Sequence, residues 1–270
     1  MKPFRILCVG GSDSSGGAGI QADLKAVSAC GCYGMSVITA VTAQNTRGVQ
    51  SIHPVPQKII LAQLDCVLSD IGADAVKTGM LLTVGAIEAL VNKVKEYRLE
   101  KLIVDPVMIA KGGHSLMNDN AKVALIRKLL PQAFVVTPNI PEAEILANCK
   151  INTVAGMKKA AVLIHGLGVK NVVIKGGHLK DAKKSGAVDI LYDGINYYEY
   201  SSPWVTTKDT HGTGCTYASS LAAALACGEN IAEAVRQSKV MITKAIENSL
   251  RLGKGHGPVN VLGSILKQKV

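Results

Sequence analysis

Residues 209–217, Asp209-Thr210-His211-Gly212-Thr213-Gly214-Cys215-Thr216-Tyr217, run small and flexible into the Ala-rich stretch 218–227. A helix beginning in such a turn presents amide N–H groups that have no intrahelical partner, at the positive end of its dipole. Glycines let a phosphate approach closely, so this spacing predicts an anion site. Cys215 lies inside the turn. A thiol at a helix N-terminus is shifted toward thiolate, which makes Cys215 a candidate base or nucleophile beside the anion.

Familiar phosphate signatures are missing. No Gly-x-x-x-x-Gly-Lys-[Ser/Thr] occurs, and 10–19 lacks the Gly-x-Gly-x-x-Gly spacing. Residues 212–217 end in tyrosine and lie late in the chain, which argues against a dinucleotide fingerprint.

Something must position the turn. Apolar runs of strand length recur at 6–9, 36–41, 73–77, 102–105, 134–137 and 172–175. Segments of helical period lie at 20–29, 57–69, 84–97, 120–130, 154–166, 214–227 and 231–250. Their alternation predicts an α/β fold with a mostly parallel sheet covered on both faces. The break in this rhythm is 187–200, where 188–193 and 196–200 flank a Gly-containing turn and read as a β-hairpin. No linker, low-complexity tract or repeat divides the sequence, so a single domain over 1–270 is expected. Ligands of open α/β sheets bind beyond the carboxyl ends of the strands. There the sequence holds 10–19, 42–45, 77–80, Asp105, 137–142 and 175–178, which are expected to line one site.

Composition limits the partners. Apolar residues make up 48% of the 270 and aromatics 4%, so the core is built from Ala, Val, Ile and Leu. The formal charge is +10, but the lysines are scattered. One Trp and two Phe leave little for base stacking, so small anionic ligands are expected rather than nucleic acid. Seven cysteines without a Cys-x-x-Cys pair fit neither a disulfide framework nor a zinc site, which implies a reducing compartment. The sequence shows no signal peptide or membrane span, and a soluble cytoplasmic protein is expected.

The turn at 209–215 resembles the late Asp-Thr-x-Gly-x-Gly-Asp anion hole of the ribokinase superfamily, with cysteine in place of the last aspartate. That replacement is the pattern of its vitamin-kinase branch, which contains the hydroxymethylpyrimidine and phosphomethylpyrimidine kinases. Residues 10–23, 39–46, 105–108 (Asp-Pro-Val-Met), 137–143 (Thr-Pro-Asn-Ile-Pro-Glu-Ala) and 175–178 (Lys-Gly-Gly-His) continue the likeness in order along the chain. The resemblance implies a ribokinase-like three-layer fold. It also implies ATP- and Mg²⁺-dependent phosphorylation of 4-amino-5-hydroxymethyl-2-methylpyrimidine and then of its monophosphate, in thiamine biosynthesis, by a homodimer. Two alternatives are a pyridoxal kinase of the same branch and a silent nucleotide- or vitamin-binding sensor.

Carried over residue by residue, the resemblance makes Cys215 the base and Gly212, Thr213 and Gly214 the donors of the anion hole. Asp105 and Glu142 become the acidic pair that organises Mg²⁺, although Glu142 also fits a first-turn helix acid. Lys175, Asn139 and Thr210 fall on the ATP side. Gln44 can donate to a ring nitrogen while accepting from a neighbouring amine, the edge that an aminopyrimidine displays. Asp23 and Gly11 then lie near the acceptor, and Met80 and Val107 line the ring pocket. His211 reads as a surface or packing residue without a catalytic role. Residues 110–116 read as a closing flap or as a plain strand-to-helix connection.

Overall fold

The computed structural model describes residues 2–108, 116–179 and 182–264. In strand β1 (Arg5–Asp13), Leu7 and Val9 belong to one hydrophobic cluster, Ile6 and Cys8 to another. The same alternation separates Leu102 and Val104 from Ile103 in β5 (Leu102–Val104), and Val172 and Ile174 from Val173 in β7 (Asn171–Ile174). Successive side chains of a pleated strand face opposite ways, so a strand apolar at every position needs cover on both sides.

Helices α2 (Gln57–Asp70), α3 (Val84–Glu96), α4 (Asp119–Ala124), α5 (Ile140–Ala147) and α6 (Val154–His165) cover the first cluster. Helices α1 (Gly19–Ala29), α8 (Thr213–Ala226) and α9 (Ile231–Glu247) cover the second. A short α7 (Ala182–Ser185) precedes the hairpin. The outcome is the expected three-layer arrangement.

The sheet also contains β2 (Tyr33–Asn45), β3 (Gly48–Pro54), β4 (Ala75–Thr78), β6 (Val135–Val136), β8 (Ala187–Tyr192) and β9 (Tyr197–Ser202). Its nine strands run β3-β2-β1-β4-β5-β6-β7-β8-β9, parallel from β2 through β7, with β3, β8 and β9 antiparallel to their neighbours. The chain moves outward from β1 to β2 and β3, then returns to β4 on the other side of β1. Such a reversal opens a crevice at the carboxyl ends of β1 and β4.

Several elements differ from the sequence reading. Strand β2 continues through 42–45, expected as a loop, because β3 pairs with it as a hairpin arm. No position of β3 is fully buried, so it has no apolar stripe to betray it. The helix expected over 120–130 is α4 only to Ala124, followed by a π turn (Leu125–Leu129) and a 3-10 turn that contains Pro131. Helix α5 was unread because only eight residues separate its cap from its end.

Helix α8 is buried continuously from Thr216 to Ala226 and packs on α1, α9 and the strands β1, β4 and β5. Its alanines permit that depth, and depth brings its N-terminus over the crevice. Among the described residues, no helix is long and apolar enough to cross a membrane.

Candidate active site

The anion turn is fixed by close backbone approach. Gly212 precedes α8 with φ of 81°, and a Cβ there would lie 1.9 Å from the Gly17 carbonyl oxygen. Glycine alone fits. Among the described residues no side chain caps α8, and the Thr213 amide makes only a long bond, 3.4 Å, to the Thr210 carbonyl. A Cβ on Gly214 would lie 3.4 Å from both Asp105 Oδ2 and Lys175 Nζ, which places this ion pair beside the helix start.

Lys175 Nζ sits 3.0 Å from Asp105 Oδ1, and Thr137 Oγ1 donates to the same oxygen at 3.3 Å. Burial disfavours the Lys175 ammonium, but Asp105 and Glu142 outweigh it and raise the group above its ordinary value. Asn139 and Glu142 form a capping box: Asn139 Oδ1 accepts from the Glu142 amide at 3.0 Å, and Glu142 Oε2 accepts from the Asn139 amide at 2.9 Å. This is the first-turn role that the sequence allowed for Glu142.

Burial nevertheless pushes the Glu142 carboxyl from 4.5 to about 7, with Lys175 opposing and Asp105 reinforcing the rise. The folded state therefore holds a proton that the unfolded chain releases between those values. Stability from this group is full below about pH 4.5 and is lost as pH rises through about 7, a change on the order of 3 kcal/mol. Glu142→Gln should flatten that part of the stability profile. Denaturant unfolding of both proteins at about pH 5 and about pH 8 measures it, and parallel profiles would refute it.

Deeper in the crevice, Lys77 Nζ contacts Asp23 Oδ1 at 2.7 Å, and Ser219 Oγ donates to the same oxygen at 2.8 Å. Burial raises the Asp23 carboxyl while the ammonium and hydroxyl resist; Lys77 stays charged because Asp23, Cys215 and Asp105 together overcome its own burial. Asp23 Oδ2 is buried with no hydrogen-bond partner among the described residues. Cys215 lies beside this pair. Burial pushes its thiol up to about 12; Lys77 opposes, while Asp23 and Asp105 add to the rise. The shift toward thiolate expected from the helix N-terminus is thus outweighed, and the resting group is a neutral thiol.

The opposite wall carries the other sequence candidates. Gly11 and Gln44 each sit where a strand register shifts, Gly11 in β1 and Gln44 in β2, and such bulges re-aim side chains. A Cβ on Gly11 would lie 2.4 Å from Met80 Cε, so those two residues abut. Val107, partly exposed after β5, donates its amide to the Asp105 carbonyl at 2.9 Å. Thr210 is tied into the anion turn, its carbonyl accepting from Thr213 Oγ1 at 2.7 Å. Most of the flap expected at 110–116 lies outside the described residues.

Of the two readings open for His211, surface or packing, the second holds: it is buried, and its Nε2 lies 2.8 Å from Asp13 Oδ2 and 3.2 Å from Gln44 Nε2. The anion turn and the acceptor wall are therefore joined through one imidazole. Asp13 and Lys77 fall within the stretches 10–19 and 77–80 expected to line the site but had no role assigned, and Ser219 was not singled out. Lys77 did carry a signal, a cation inside the buried four-residue strand Ala-Val-Lys-Thr, which demands a partner.

The family model described as phosphomethylpyrimidine kinase matches residues 13–260. The chain belongs to the phosphomethylpyrimidine kinase family. This kinase is 45% identical over 260 residues to the hydroxymethylpyrimidine/phosphomethylpyrimidine kinase of Bacillus subtilis, covering 96% of its own chain and 95% of that protein. It is 52% identical to a thiamine biosynthesis bifunctional protein of Geobacter sulfurreducens, matching 94% of its own length but spanning only 51% of that larger protein. The structure of Bacillus subtilis pyridoxal kinase in an ADP complex superimposes with a TM-score of 0.89 at 40% identity, covering 96% of this kinase and 97% of that chain.

Proposed function

We propose that this kinase transfers the γ-phosphoryl group of ATP to the hydroxymethyl oxygen of 4-amino-5-hydroxymethyl-2-methylpyrimidine. A second transfer to the monophosphate gives the diphosphate used for thiamine. The observation that carries this reading is the contact between the Gln44 amide and His211, which sets a donor–acceptor pair against the turn that opens α8. An aminopyrimidine read by Gln44 then presents its neighbouring hydroxymethyl group toward that turn.

In this assignment Gly212, Thr213 and Gly214 surround the transferred group, where positioned amides stabilise charge spread over its oxygens. Cys215 faces the acceptor hydroxyl. Asp23, Gly11, Met80 and Val107 enclose the ring, and Lys175, Asn139 and Thr210 meet the nucleotide. Asp105 and Glu142 would hold Mg²⁺. Two carboxylates suit an ion that keeps waters and phosphate oxygens as its remaining ligands, and bound Mg²⁺ offsets the charge of the phosphates. The ion pair between Asp105 and Lys175 then opens as phosphate oxygens take over the lysine. A cytoplasmic homodimer is the assembly that we propose.

Incubation of the purified protein with Mg-ATP and, separately, hydroxymethylpyrimidine, its monophosphate and pyridoxal tests the reading, with products identified by mass spectrometry. Phosphorylation of both pyrimidines is expected. Turnover of pyridoxal alone would transfer the assignment to the pyridoxal kinases, and ligand binding without ADP formation would indicate a sensor. Gln44→Leu removes both hydrogen bonds to the ring edge and should lower kcat/KM for hydroxymethylpyrimidine roughly 100-fold. Steady-state kinetics at saturating ATP measure the loss, and an unchanged value would remove Gln44 from the acceptor site.

A further inference from the structure

Each proton in the chain from Asp13 through His211 and Gln44 to Thr42 has one place to go. The Asp13 carboxylate is 3% exposed and accepts from the Ser15 amide and hydroxyl and from the Ala18 amide, each at 2.8 Å. Burial disfavours its charge, yet these bonds and His211 hold the carboxyl well below its usual range. A carboxylate only accepts, so His211 Nε2, 2.8 Å from Oδ2, must carry the proton. As the amide is placed, the same nitrogen lies 3.2 Å from Gln44 Nε2. An amide nitrogen there would set donor against donor, so the amide oxygen belongs on the His211 side.

The far end of the amide gives the same answer independently. As placed, Gln44 Oε1 lies 3.3 Å from Thr42 Oγ1, but the hydroxyl has one proton and the Ser12 carbonyl takes it at the shorter 2.9 Å. Thr42 therefore meets Gln44 as an acceptor, which requires the amide nitrogen on that side. Nitrogen and oxygen of a glutamine amide have nearly the same shape, so their partners make the assignment. The Gln44 backbone is pinned as well: Ser14 Oγ accepts from its amide and donates to its carbonyl, both at 2.9 Å.

We propose that His211, held by Asp13, is a positioning residue that fixes the direction of the Gln44 amide and thereby sets which ring edge the kinase accepts. The proposal rests on the aminopyrimidine reading of the site. With one oxygen lone pair of Gln44 facing the longer arm of the His211 N–H that it shares with Asp13, and one amide N–H on Thr42, Gln44 retains one lone pair and one N–H, side by side. A ring nitrogen next to an exocyclic amine needs that donor and that acceptor in one order. A reversed amide offers the inverse order and faces donor with donor.

Two substrates and three variants test this. The substrates are hydroxymethylpyrimidine and its analogue lacking the 4-amine; the variants are His211→Leu, His211→Gln and Thr42→Val. The leucine and valine variants should lose about tenfold in kcat/KM on the aminopyrimidine, mainly through KM, and stay within about twofold on the analogue. His211→Gln restores an N–H donor at the same reach and should recover most of the loss. Ring-nitrogen NMR of the wild type should find the Nε2-protonated form of His211. Equal losses on both substrates, or an unprotonated Nε2, would overturn the proposal. If His211→Leu does not fold, Thr42→Val and the NMR signature decide. Failure of the wild type to phosphorylate hydroxymethylpyrimidine would instead overturn the functional reading and carry this inference down with it.

Discussion

Lys77→Met is expected to lower the unfolding free energy by about 3–5 kcal/mol, because it strands a carboxylate whose salt bridge among the described residues is to Lys77. The side chains of Lys77 and Asp23 are 0% and 1% exposed, so water cannot replace the lost ammonium. Ser219 continues to donate to Asp23 Oδ1, but Oδ2 has no hydrogen-bond partner among the described residues even in the intact protein. Asp23 would respond by binding a proton. Its carboxyl is already raised by burial, and loss of Lys77 removes the main opposition. A raised folded-state value means stability that is present at low pH and lost as pH climbs, so the defect should be smaller near pH 5 than near pH 8. The double variant Lys77→Met/Asp23→Leu removes both charges and should recover much of the loss, since an apolar pair of similar volume needs no desolvation of ions. Urea unfolding at the two pH values gives the answer. A single variant within about 1 kcal/mol of wild type at pH 8 would show that Asp23 finds another partner.

The same pair explains how the crevice is assembled. Asp23 comes from α1, Lys77 from β4 and Ser219 from α8, so one buried carboxylate ties together three elements that surround the anion turn. Apolar packing would hold these elements just as tightly but would not fix their register as sharply as directional bonds.

How much of this was legible depends on the distance over which each signal acts. Local chemistry could be read directly. Apolar runs of strand length announced the strands, glycines announced the turn at 212–214, and the Gly-containing break at 187–200 announced the hairpin found as β8 and β9. Strand β3 could not be read, because its residues are held by pairing with β2 and not by burial. The network that orients Gln44 was invisible for a different reason. His211 and Asp13 are 198 residues apart, and neither residue type in its own loop points to the other. The charge of Cys215 could not be read from the sequence: a helix N-terminus favours thiolate, while burial beside the Asp23–Lys77 pair pushes the thiol up. Local motif and buried environment pulled in opposite directions, and only coordinates could weigh them.

Cys215→Ala should therefore separate the two phosphoryl transfers. On hydroxymethylpyrimidine we expect kcat to fall about 100-fold, the lower end of what a positioned base supplies, whereas on the monophosphate the fall should be no more than several-fold. The difference lies in the acceptors. An alcohol must lose a proton as the P–O bond forms, but a phosphate oxygen arrives already anionic. With the thiol pushed up to about 12, Cys215 cannot hold a standing thiolate at neutral pH. Its proton must therefore pass to solvent before transfer, and the small thiolate fraction then takes the alcohol's proton late in a loose transition state that demands little of the nucleophile. The alcohol step of the wild type should accordingly keep rising with pH between about 6 and 9, without the plateau that a thiolate formed near neutrality would produce. Cys215→Ser keeps a small polar group at the helix start, so it should preserve the turn while leaving the alcohol step impaired. Should Cys215→Ala slow both transfers equally, the thiol's role would be to shape the anion turn, and the proton of the alcohol would have to leave by way of the phosphate itself.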